Sequence, residues 1–237
     1  MQLMTVLARM LEYPTTELQA ARDDLVAVVL EDSRLPRRHK EQLLETLDRL
    51  CAVDVMDLQE AYVGLFDRGR ATSLLLFEHV HGESRDRGQA MVDLMDTYRR
   101  NGLDIDAREL PDYLPLFLEY LSTRPWDEIR PWLEDIHHIL GLLGERLYQR
   151  QSHYHVVMDA LLALSGRNAD RQALAKLVAA EARDDTPEAL DKVWEEEMVK
   201  FVDDQGSSCG QGEMVGQRRR ELDQVQVLHL NDPGQPA

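Results

Sequence analysis

Basic residues are scarce in this sequence. Its 237 residues carry 27 lysines and arginines against 44 aspartates and glutamates, a formal net charge of −17 at neutral pH. Nucleic acid and anionic membrane surfaces are bound by neutralising phosphate with Lys and Arg, so the charge balance argues against both as direct partners. A basic peptide is the ligand such a field would steer inward. Cysteine is almost absent. Cys51 falls on the apolar face of a helical pattern and Cys209 in a Gly/Ser-rich stretch, which suits a reduced cytosolic protein without a structural disulfide. Aromatic residues make up 6% while the hydrophobic total is 43%. Leu, Ala, Val and Met therefore supply the core volume, a mixture suited to helix packing. No apolar run approaches the roughly 20 residues needed to span a bilayer. The opening MQLMTVLARMLEYP has one basic residue, Arg9, and no small-residue cleavage site, so no signal peptide is expected. Strict polar–apolar alternation is also missing, and no strand is predicted.

What is present is helical periodicity from end to end. Leu3, Met4, Leu7, Met10 and Leu11 share one face. Thr16–Leu30 forms a second stretch, and Pro36 opens a third that presents Leu43, Leu44, Leu47 and Leu50. Helices are expected over Asp54–Phe66, over a short piece after a Thr72 or Ser73 cap, and from a Ser84 cap to the Asn101-Gly102 stop. Pro111 starts another. The longest runs from Pro125 or Asp127 through Leu147. Ser152–Ser165, Asp170–Arg183 and Thr186–Val202 complete the set. The expected fold is all-α: one compact domain of about ten helices over residues 1–204. A flexible Gly/Ser/Gln-rich tail over 205–237 follows by composition.

Chemistry-bearing motifs are few. The pairs His79/His81, His137/His138 and His153/His155 lack the i, i+4 spacing of helical zinc ligands, and no metal site is assigned. No phosphate loop or strand-linked G-x-G-x-x-G exists. Gly141 and Gly144 lie inside a strong helix and predict a close helix–helix approach. Ser73, Ser84 and Ser165 read as caps or helix ends. Arg85 and Arg87 occupy the first turn of a helix, where the dipole disfavours cations. They are either solvated or paired with Asp67, Glu78 or Glu83, or they position a loop or contact a partner. From Glu181 to Asp204 ten acidic and three basic residues leave a net charge of −7. That is either a solvated face or one wall of a groove for a basic amphipathic helix.

The stretch Tyr62-Val63-Gly64-Leu65-Phe66-Asp67-Arg68-Gly69-Arg70, with Ser73-Leu74 and Phe77 through Gly88, resembles the signature of the NarJ chaperones of respiratory nitrate reductase. Glu109-Leu110-Pro111-Asp112-Tyr113-Leu114-Pro115 is similar to that family's second element and to the hinge motif of the wider TorD/DmsD superfamily, where Tyr113 stands at a position often held by His. The resemblance covers roughly residues 1 to 200.

It implies a TorD-like helical fold and a cytoplasmic chaperone without catalysis or a cofactor of its own. The implied partner is the N-terminal segment of the nitrate reductase catalytic (alpha) subunit. That subunit would receive bis-molybdopterin guanine dinucleotide, and iron–sulfur clusters, before membrane docking. The chaperone would not remain as a subunit. Candidate client-binding or groove-organising residues are Tyr62, Phe66, Asp67, His79, His81, Arg85, Arg87, Asp112 and Tyr113. The alternatives are a chaperone for another molybdoenzyme and a nucleotide-binding enzyme.

Overall fold

The computed structural model describes residues 2–80, 85–105 and 109–192; the side chain of Arg85 is not among the described groups. The chain divides by internal packing into Met1–Thr186 and Pro187–Ala237. In the second unit residues 187–192 are helical. The expected boundary at 204/205, the tail beyond it and the Ser84 cap lie outside the described residues.

The described part of the first unit is all-α. Its helices are α1 (Gln2–Leu11), α2 (Thr16–Ala20), α3 (Arg22–Glu31), α4 (Arg37–Ala52), α5 (Val55–Phe66), α6 (Arg85–Arg100), α7 (Leu114–Ser122), α8 (Trp126–Asp135), α9 (His137–Gln149), α10 (His155–Ser165) and α11 (Arg171–Ala179). A single isolated antiparallel bridge, Leu75 with Tyr113, is the only β pairing among the described residues.

The core forms where the apolar stripes meet. In α1 the side chains of Leu3, Met4, Val6, Leu7, Met10 and Leu11 are all buried, each large one contributing roughly 1.5–3 kcal/mol of transfer free energy. They face Leu114, Phe117, Leu118 and Leu121 of α7, with α3 and α10 alongside. α10 is central. Val156, Val157, Met158, Leu161 and Leu164 are buried between α9, α4 and α8.

α9 is approached closely at both predicted glycines, by α10 at Gly144 and by the segment after α10 and α11 at Gly141. A Cβ on Gly144 would lie 3.1 Å from Met158 Cβ, and one on Gly141 would lie 3.2 Å from Ala169 Cβ. Ser165 ends α10 as expected, donating to Leu162 O and accepting from Arg167 N. Asp54 and Asp170 cap α5 and α11 through their carboxylates. Gly102, at φ +80°, stops α6, the left-handed geometry that glycine adopts without steric cost.

Several boundaries differ from the periodicity. The Thr16–Leu30 stretch breaks at Ala21, where ψ is 4°. Gln19 donates to Leu50 O at 3.0 Å and Val53 O at 2.9 Å, tying α2 to the open carbonyls at the end of α4. The long helix over 125–147 breaks at Ile136 into α8 and α9. His137 Nδ1 donates to Glu134 O at 2.6 Å there, replacing a helical partner. Pro111 does not open a helix, because α7 begins at Leu114, with Tyr113 as its cap. Residues 72–75 are not helical; only Leu76–His79 coil, as a 3-10 turn. α11 ends at Ala179 instead of Arg183, and residues 181–185 run on as an irregular strap.

Candidate functional site

The two sequence motifs are distant in the chain but form one structure. Leu76 N–H donates to Asp112 O at 3.0 Å, and Leu114 N–H donates to Leu74 O at 2.8 Å. Asp112 adds a side-chain link, its Oδ2 accepting from Phe77 N at 3.0 Å. The carboxylate is fully buried, and Oδ1 and Arg87 Nε are buried without a hydrogen-bond partner. Burial pushes the Asp112 carboxyl above its ordinary value, while the Phe77 amide and the nearby Arg87 charge pull the other way. Arg87 reaches over from α6 with Nη1 3.4 Å from Glu78 Oε1, so the arginine in the unfavourable helix position is an ion-paired, positioning group. Tyr98 of α6 donates to Pro111 O at 2.8 Å and holds the second motif from behind.

Aromatic rings support this junction. Tyr62 is buried, its hydroxyl donating to Leu11 O at 2.8 Å and lying 3.2 Å from Tyr113 Oη. Burial drives its phenol far above the usual value. Phe66 is buried with its ring centroid 4.7 Å from Tyr62 and 5.1 Å from Tyr154. Tyr62, Phe66 and Asp112 are thus all buried, Tyr62 and Asp112 being hydrogen-bonded within the fold. Asp67, at the end of α5, is exposed. Val80 and Leu110, which flank the junction in sequence, are exposed apolar groups. Tyr113 is half-buried. His81 and the Arg85 side chain fall outside the described residues.

His79 leads to a second cluster that sequence reading missed. Its Nε2 donates to Ser73 O at 2.8 Å, which leaves Nδ1 to accept from Arg146 Nη1 at 3.3 Å. Desolvation pushes this imidazole below its ordinary value, and the Arg146 charge adds to that. Arg146 also forks onto Glu181, with Nε to Oε2 at 2.8 Å and Nη2 to Oε1 at 2.7 Å, and donates to Ala71 O at 3.0 Å. One turn on, Arg150 donates to Thr72 Oγ1 at 2.9 Å and to Asp184 Oδ1 at 2.7 Å. Asp184 Oδ2 accepts from Ala71 N–H at 2.7 Å. The Arg68-Gly69-Arg70 break in the first motif is therefore clamped by α9 and the strap. The sequence clue was a pair of arginines at i, i+4 ending an apolar helix, followed thirty residues later by Glu-Ala-Arg-Asp-Asp. Clefts of about 210 and 340 Å³ share Ala71, Arg146 and Glu181 in their walls. Among the described residues no group of three or more His, Cys, Asp or Glu is arranged to hold a metal ion.

Residues 33–158, over half of the chain, match the family described as "Nitrate reductase delta subunit". In Escherichia coli strain K12, the "Nitrate reductase molybdenum cofactor assembly chaperone NarJ" is 48% identical over 228 residues, covering 96% of each chain. The chain belongs to the NarJ family. A second K12 relative, NarW, named as a probable chaperone of the same kind, is 46% identical over 220 residues, 93% of this chain and 92% of that one. A Bacillus subtilis NarJ is 31% identical over 159 residues, 67% of this chain and 85% of its own. The NarJ match takes in both motif segments and the α9 arginines. The first of these relatives is named as an assembly chaperone, and NarW and the Bacillus subtilis NarJ as probable ones. No helix among the described residues is long and apolar enough to cross a membrane.

Proposed function

We propose that this chain is a system-specific cytoplasmic chaperone of a membrane-bound respiratory nitrate reductase. It binds the N-terminal segment of the apo catalytic subunit. It holds that subunit while bis-molybdopterin guanine dinucleotide and iron–sulfur clusters are inserted, and it departs before membrane docking. It carries out no catalysis and is not part of the finished enzyme. The observation that carries this reading is the 48% identity across 96% of both chains to a nitrate reductase molybdenum cofactor assembly chaperone. The family description says "delta subunit"; the relatives' names say chaperone, and the reading follows the names.

The charge of −17 supports a basic client segment. The two motifs carry exposed apolar groups, Val80 and Leu110, together with the ion-paired Arg87 and the exposed Asp67, a mixture that suits an amphipathic client segment. A rigid junction backed by buried Tyr62, Phe66 and Asp112 presents these groups with little ordering cost on binding.

The test is calorimetric titration of the purified chain with a peptide of the N-terminal helix of a nitrate reductase catalytic subunit, at two salt concentrations. The expected result is a Kd of about micromolar or tighter that weakens with salt. No binding at either salt overturns the client assignment. Asp67→Ala and Arg87→Ala are expected to weaken capture by about tenfold, roughly 1.4 kcal/mol, with helical circular dichroism intact; wild-type affinity in both moves the contact surface elsewhere.

A further inference from the structure

The clamp over the first motif has the construction of a receptor already holding a ligand. The fixed half belongs to α9 and the loop. Arg146 and Arg150 are 15% and 9% exposed at the side chain. Each is held in place by the motif loop, through Ala71 O and Thr72 Oγ1 respectively. The other half is the strap. Glu181 and Asp184 are 30% and 31% exposed, the strap has no regular secondary structure, and Ala182 and Arg183 within it are exposed. It ends where the first compact unit ends, at Thr186. Ion pairs whose carboxylates keep some exposure are more open to exchange with solvent ions than fully buried pairs.

Asp184 is seated as a carboxylate would be in a binding site. One oxygen takes the Ala71 N–H at 2.7 Å, the other takes Arg150 Nη2 at 2.7 Å. Its carboxyl carbon lies over Gly69, so close that a Cβ there would stand 2.6 Å away. With Asp184 seated there, a side chain at position 69 would have to push that carboxylate aside. Asp185 completes the surroundings, 3.6 Å from Arg150 Nη1 and paired with Arg183 at 2.6 Å. Clefts of about 210 and 340 Å³ open beside Arg146.

We infer that Arg150, the Ala71 amide and the open face of Gly69 form a carboxylate-binding site that Asp184 occupies as an internal ligand, and that strap 181–185 exchanges there with an acidic segment of another polypeptide. Arg146 supplies a second seat, now filled by Glu181. The site differs in charge from the surface proposed for a basic client, and its test needs no client.

In the full-length chain, Asp184→Ala is expected to lower Tm and to speed hydrogen exchange at the Ala71 amide by about tenfold. Sodium acetate, compared with sodium chloride at equal concentration, is expected to reverse both changes. It should do nothing for wild type or for Asp184→Ala combined with Arg150→Gln. Acetate no better than chloride overturns the site. Rescue by inorganic phosphate but not acetate overturns the carboxylate assignment.

Exchange is tested with the more conservative pair Glu181→Gln and Asp184→Asn, which keeps side-chain shape. The probe is the strap's own sequence, acetyl-Glu-Ala-Arg-Asp-Asp-amide. The opened chain is expected to bind it about tenfold or more tighter than intact chain, where the tethered strap competes at high effective concentration, and to lose binding with Arg150→Gln. Equal binding to both chains, or none to the opened one, overturns the exchange.

Discussion

Asp112 shows how a side chain can shape a surface it never reaches. It is fully buried, and one of its oxygens takes the Phe77 amide. Alanine would leave that N–H unsatisfied, at a cost of about 1–3 kcal/mol. Asparagine keeps an acceptor and removes the buried charge, so Asp112→Asn is expected to cost less than Asp112→Ala in urea unfolding. Equal costs would mean that the charge facing Arg87, lost in both variants, and not the hydrogen bond, sets the role of Asp112. Tyr62→Phe removes the donor to Leu11 O and is expected to cost about 1 kcal/mol by the same measurement.

His79 sets a pH dependence at this scale. Burial lowers its value, so the folded chain binds fewer protons there than the unfolded chain. Stability contributed by the neutral ring is present above about pH 6.5 and is lost as pH falls below that value. His39 and His153 shift the same way, again chiefly through burial. The raised Asp112 carboxyl has the opposite sign, since acid relieves its buried charge. Tm is therefore expected to fall between about pH 7.5 and about pH 5.5, and His79→Gln is expected to flatten that fall. An unchanged slope would assign the loss to the other two histidines.

At the scale of elements, the α9–α10 seam and its connection decide most. Gly144 permits the close approach to Met158. Gly144→Val overpacks the seam and is expected to cost about 1–3 kcal/mol in chemical denaturation. The connection turns on Gln151, the one non-glycine residue with positive φ among those described, at 58°. It closes α9 through Gln151 N to Tyr148 O and Ser152 N to Leu147 O, a geometry that glycine usually serves. Gln151→Gly is expected to raise stability by about 0.5–1 kcal/mol, read as a higher Tm. The helix breaks belong here too. The apolar pattern runs unbroken through Ala21 and Ile136, so only contacts made elsewhere in the fold, such as Gln19 on the end of α4, could place them.

At the scale of the whole molecule, charge dominates. A chain of −17 attracts a basic segment over distances set by screening. Raising salt is therefore expected to slow client association more than it speeds dissociation, measurable by stopped-flow mixing with the labelled client peptide. A salt effect confined to dissociation would place the charge pairs inside the contact instead of around it.

Composition and periodicity determined the helical class, the core faces of α1, α4 and α7, and the glycines of the close approach; the two motif segments, by their resemblance, pointed to the family. These are local properties: period, cap chemistry and motif order are written in neighbouring residues. Tertiary structure alone decided that the two motifs form one junction, that Asp112 is buried, and that Glu181, expected in a helix, joins Asp184 in an irregular strap that clasps Arg146 and Arg150. An aspartate on its own predicts exposure, and an acidic run predicts a solvated face. Both expectations yield once a guanidinium or a backbone amide from a distant part of the chain is brought within hydrogen-bonding distance.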